Sequence, residues 1–249
     1  MSDFNRGIWG QPAPARADMA VDAGLRAFML GVYNKMALGL VLSAVLAWVT
    51  SHAPVVEYLF VRNEFGRVTP TLLGTGLMWA PLVVVLVGSF AMRNVTARNS
   101  GVFYWVVVSL LGAGLGVDAL IYTSTSIATS FLVTATAFGA LSLVGYTTKR
   151  DLSGMGSFLI MGLWGMIALS LLNVFLLHSS MMQFMVQLIM LGIFAGLTAY
   201  DTQKLKMTYY QVQGDTLGMA TATNFGALNL YLDFINIFQL LLSLFGGRR

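Results

Sequence analysis

Long apolar runs alternate with short polar connections along this chain. Seven runs, at residues 32–50, 72–92, 102–122, 127–147, 156–178, 182–200 and 225–245, match the roughly 20 residues a helix needs to cross a bilayer. The pattern predicts an all-α polytopic membrane protein of seven transmembrane helices. Runs three and four are separated by "TSTS" and runs five and six by "HSSM", so each pair is expected to form a tight hairpin. Residues 1–27 are polar and mixed, with Pro12 and Pro14 and no apolar stretch near Met1. They read as a cytoplasmic tail, with 28–249 as the membrane domain and its first span as an uncleaved anchor.

Composition agrees with the pattern. Hydrophobic residues make up 57% of the chain and charged residues 10%, against roughly 25% charged in soluble domains, and the mean hydropathy is +0.76. The absence of cysteine excludes disulfides, thiolate metal sites and cysteine nucleophiles. Although the net charge is +4, the basic residues are scattered over short connections, which argues for membrane topology rather than a nucleic-acid face. Arg6, Arg16, Arg26, Lys35, Arg93, Arg98, Lys149, Arg150, Lys204 and Lys206 fall on one side of a seven-span arrangement; Arg62, Arg67, Arg248 and Arg249 fall on the other. This bias predicts a cytoplasmic N-terminus and an external C-terminus. Gly112 with Gly116, and Gly192 with Gly196, form two GxxxG pairs that suit close helix packing in lipid.

A few polar groups do not fit a greasy bundle. Asp233 lies about eight residues into the last run, roughly 12 Å along a helix. Asn229 and Asn236 share its face, so this stripe should face protein or water. Intramembrane acids are costly and are functional candidates by default; the alternative is a buried acid bonded to a neighbouring helix. Asp201 closes run six in "LTAYDTQKLK", either as an interfacial acid beside Lys204 and Lys206 or as a partner for Asp233. Two carboxylates in one low-dielectric site cannot both ionise cheaply and would titrate as a unit. Such a pair is a candidate pH-sensitive latch and a weak, two-carboxylate Ca²⁺ site. Arg93 ends run two on the same side, as a topological anchor or a counter-charge to an aspartate. Asp118, at the outer end of run three, is a surface acid or part of an outer vestibule with Glu57 and Glu64.

"AYDTQKLK", "LNLYLDFINIFQLLLSLFG", "KRDLSGMG" and "FLVTATAFGALSL" resemble the hallmark segments of the Bax inhibitor family, the transmembrane Bax inhibitor motif proteins. The resemblance implies a bacterial inner-membrane protein whose last helix is central and wrapped by the other six. It implies a pH-sensitive Ca²⁺ leak, sensed by an aspartate pair at Asp201 and Asp233, with Arg93 as the bonding arginine. It also implies a second reading, a regulator that binds and restrains a membrane-anchored AAA protease. Span two here carries no acid, about 24 residues from Tyr200 to Asn224 are expected to form a loop between the two aspartates, and only "GRR" follows span seven.

Enzymatic readings fare worse, and none is adopted. "YD" at Tyr200–Asp201 and "GLGVD" ending at Asp118 resemble intramembrane aspartyl protease motifs, but the order is reversed and Asp118 has an extra residue before it. His52 and His178 form no HExxH site, no GxSxG elbow is present, and the last run holds no lysine for a retinal. The sequence therefore predicts no catalytic residue and no cofactor. Its expected partners are the lipid bilayer, Ca²⁺ as transported ion, and H⁺.

Overall fold

The computed structural model describes residues 23–63, 68–91 and 96–248. The helices are α1 (Ala23–Ser51), α2 (Val55–Leu59), α3 (Leu72–Ala91), α4 (Ala97–Gly114), α5 (Gly116–Ile121), α6 (Ser124–Thr147), α7 (Ser153–Leu172, continued by a π-turn at Asn173–Leu177), α8 (Ser180–Val212) and α9 (Thr216–Phe245). A short antiparallel hairpin, β1 (Phe60–Arg62) with β2 (Val68–Pro70), joins α2 to α3. Among the described residues, six segments are long and apolar enough to span: α1, α4 with α5, α6, α7 with its π-turn, α8 and α9. The seventh expected span is α3, whose 20 residues carry Pro81 inside the helix.

The last helix is central, as the family resemblance implies. α9 packs on α8, α1, α4 and α6, and its Leu230, Tyr231, Ile237 and Leu242 are among the most buried side chains. The wrapping is less even than a ring of six. α3 packs mainly on α4, and α7 mainly on α8. The outward faces carry exposed apolar side chains such as Trp48, Trp79, Phe158, Trp164 and Phe175, the pattern expected where lipid is the solvent.

Small residues and hydroxyls set the helix approaches. A Cβ at Gly112 would lie 2.5 Å from Ser43 Cα, and one at Gly116 would strike Thr50, so this GxxxG seats α4 and α5 on α1. Thr50 Oγ1 donates to Ala113 O at 2.9 Å, satisfying a carbonyl where the helix breaks at Leu115. The second GxxxG is only half used. Gly196 abuts Leu159 of α7, whereas a Cβ at Gly192 would meet nothing within 4 Å. Both predicted hairpins are present, each capped by a hydroxyl: Thr123 accepts from Ser126 N, and Ser179 from Met182 N.

The connection between the aspartates differs from expectation. Instead of a 24-residue loop, α8 runs on to Val212 and α9 starts at Thr216, which leaves a three-residue turn at 213–215. The extension is helical because Gln203, Leu205, Lys206 and Tyr209 bury themselves against neighbouring elements, one to three residues apart along "QKLKMTYYQV". Both aspartates consequently lie well inside long helices, Asp201 about 16 Å before the end of α8 and Asp233 about 25 Å from the start of α9.

Candidate functional site

α8 and α9 form an antiparallel pair, and their facing sides carry the two aspartates. The carboxyl groups of Asp201 and Asp233 meet in a side-chain hydrogen bond. Carboxylates only accept, so a bond between two of them requires one proton. Asp233 is 4% exposed, and its Oδ2 is covered with no hydrogen-bond partner. Asp201 is half-buried, with Lys204 close enough to act on its charge.

Asp201 also lines a cavity of about 520 Å³ between the two helices, on the side of the 213–215 turn. Lys204, Thr208, Asp215, Thr221 and Asn229 contribute its polar lining. The cavity therefore offers an open approach to Asp201 from one end of the bundle. Asp215 is held as the N-cap of α9, accepting from Leu217 N at 3.0 Å. The expected polar stripe divides into three roles. Asn229 is exposed and faces the cavity, Asp233 is buried, and Asn236 donates to Leu232 O of its own helix at 2.8 Å. Among the described residues, no group of three or more His, Cys, Asp or Glu is placed to hold a metal ion, so a Ca²⁺ contact here has two carboxylates at most.

The "DTQKLK" run divides by helix face. Asp201 and Lys204 look into the cavity, while Gln203 and Lys206 turn the other way and brace the α6–α7 connection. Gln203 accepts from Leu152 N at 2.8 Å and donates to Arg150 O at 2.7 Å. Lys206 is buried and donates to Tyr146 O in the last turn of α6, with its ammonium 5.1 Å from the Tyr146 ring centre. A cation at a helix C-terminus complements the helix dipole. Gln203→Ala should remove both loop bonds and cost about 1–3 kcal/mol. The expected readout is faster trypsin cleavage at Lys149 and Arg150, followed on the purified protein; unchanged cleavage would refute the brace.

Lys35, counted in the sequence only as one of the charges on one side, has a specific bonding role. It lies within α1, half-buried, donates to Asn224 Oδ1, and sits 5.1 Å from the Tyr104 ring centre. Asn224 donates in turn to Ala97 O and Ser100 Oγ, at 3.0 and 2.8 Å, which ties α1, α4 and α9 together. This junction was not legible in the sequence, because nothing in the spacing of Lys35, Ser100 and Asn224 pairs them.

The remaining expectations divide. Arg93 and Glu64 lie outside the described residues. Glu57 is exposed in α2, but Asp118 is no open vestibule acid: its Oδ2 is covered and unpartnered, and its carboxylate interacts with Gln239 of α9. The short C-terminal tail is pinned, with Thr123 N donating to Gly247 O at 3.0 Å and Gly247 N to Ser126 Oγ at 2.9 Å. Outside the spans, the exposed Asp151 carboxylate is held below its ordinary range by hydrogen bonds from Ser153.

Comparison with known proteins points the same way as the motifs. Residues 25–249 match the family model described as "Inhibitor of apoptosis-promoting Bax1". A Caulobacter vibrioides protein is 56% identical over 253 residues, with 100% of each chain covered. The Escherichia coli inner membrane protein YbhL is 43% identical over 238 residues, covering 94% of this chain and 98% of its own. A Rickettsia prowazekii protein is 42% identical over 228 residues, 92% of each chain.

Proposed function

The chain belongs to the Bax inhibitor family of membrane proteins, and from that premise we propose that it is a pH-sensitive cation-leak channel. It passes Ca²⁺ as cargo and makes or breaks no covalent bond. The observation that carries this reading is the hydrogen-bonded pair Asp201–Asp233 at the head of a cavity of mixed polar and apolar lining. While the pair holds its proton, the bond draws α8 and α9 together. When the proton leaves, two negative charges face each other in a medium of low dielectric, and repulsion separates the helices. The sign is therefore fixed: flux is low in acid and rises as pH rises. The inner-membrane relative supports a bacterial inner-membrane location, and the charge bias supports an orientation with N-terminus and cavity mouth cytoplasmic and C-terminus outside.

The test is Ca²⁺ entry into liposomes carrying the purified protein, measured across a pH series. Flux that climbs from acid to alkaline pH supports the channel, and flux independent of pH refutes the latch. No flux at any pH would favour the second reading, a regulator of a membrane-anchored AAA protease that uses the polar segment before Ala23 as its handle. Co-purification of such a protease from native membranes is the observation that reading requires.

A further inference from the structure

α1 and α6 both pack on the central helix, but between them runs a groove of about 530 Å³. It lies at the end of the bundle where α1 begins and α6 finishes. Buried Met29 and Phe138 line its floor, and exposed Leu30 and Leu143 its sides. A Cβ added at Gly139, also a lining residue, would meet no atom within 4 Å. The groove is therefore open at that level and wide enough to take a hydrocarbon chain.

Two polar features distinguish it from ordinary lipid-facing surface. Ser142 lines the groove at 6% exposure, and its hydroxyl has no hydrogen-bond partner. Ser142 lies about 7 Å inside the end of α6, the depth of the interface beneath the headgroups. The second feature is charge. Arg26 is exposed at the groove, the exposed Lys149 and Arg150 follow closely after α6 and outnumber the exposed Asp151 beside them, and no carboxylate is among the described lining residues. Basic pockets between helices on the cytoplasmic side suit acidic headgroups.

We propose that this groove holds one anionic phospholipid. Its phosphate pairs with Arg26, and one acyl chain lies over Gly139 between Leu30 and Leu143. The site is independent of the cation-leak reading and stands or falls without it.

The test is native mass spectrometry of the detergent-purified full chain, incubated with dioleoylphosphatidylglycerol or with dioleoylphosphatidylcholine. Wild type should retain one phosphatidylglycerol and shed phosphatidylcholine. Arg26→Ala should retain the anionic lipid about fivefold less, the scale of one basic residue beside an acidic headgroup. Gly139→Phe should fill the groove and abolish retention. Because that variant can disturb packing, Arg26→Ala, at an exposed position, is the decisive one. Equal retention of the two lipids by wild type overturns the proposal. So does undiminished phosphatidylglycerol on Arg26→Ala, or on a folded Gly139→Phe.

Discussion

Asp201→Asn should leave the bundle folded but its flux indifferent to pH, whereas Asp201→Leu should cost about 3–5 kcal/mol of stability. The two substitutions separate the chemistry of the latch from its place in the core. Asp233 is buried with one oxygen already unpartnered, and Asp201 is its hydrogen-bonding neighbour. An amide at 201 can still bond to the Asp233 carboxyl, but it cannot share and release a proton. Leucine removes the partner and leaves an orphaned acid in the most buried helix of the bundle, where water cannot compensate. Adding Asp233→Leu to Asp201→Leu should recover much of the loss, because apolar side chains of similar size commonly replace a buried polar pair at little cost. The double variant Asp201→Asn with Asp233→Asn keeps a bond without charge and should remain shut at every pH. Thermal unfolding in detergent, set beside liposome flux across pH, measures both halves. An Asp201→Leu protein that melts with wild type would show that the pair does not hold the helices. A pH profile that survives both Asn substitutions would place the sensor elsewhere.

The sequence made the aspartates legible because a carboxylate in an apolar run is expensive and must have a reason to be there. Seven apolar runs also anticipated the six long spans, with α3 at the place of the seventh, and the two tight hairpins. It misplaced what depends on helix faces rather than on hydropathy. The stretch after Tyr200 is rich in Lys, Gln and Tyr, so a hydropathy reading ends the span there. Its buried positions, Gln203, Leu205, Lys206 and Tyr209, instead keep it helical to Val212. The same blindness counted Lys35 and Lys206 only as topological charges, although each bonds to an oxygen of another helix. Hydropathy counts a lysine as a cost; it does not register that a carbonyl at a helix end, or an asparagine, can receive it. Asp118 failed for a related reason, since its neighbour Gln239 lies 121 residues away in the chain.

Gly145→Leu should be the most damaging glycine substitution near the pair, with a loss of about 3 kcal/mol or more. A Cβ at Gly145 would come within 2.9 Å of Ala199 Cα and C, so α6 and α8 cross there with backbone against backbone. A clash with backbone cannot be relieved by a rotamer change; one helix must move. Ala199 is two residues from Asp201, and its helix carries that aspartate to Asp233. Displacing α8 at this crossing therefore shifts the pair itself, and the variant should leak cations in acid, where wild type is closed. Gly192→Ala on α8 is the control, because it has open space and gains helix propensity of about 1 kcal/mol. The comparison distinguishes a general need for glycine in a lipid-embedded helix from a specific need at the crossing. If both variants melt and conduct alike, the close approach of α6 does not set the position of Asp201. If Gly145→Leu alone loses stability and closes poorly in acid, the gate is held from behind by α6 as well as by its own hydrogen bond.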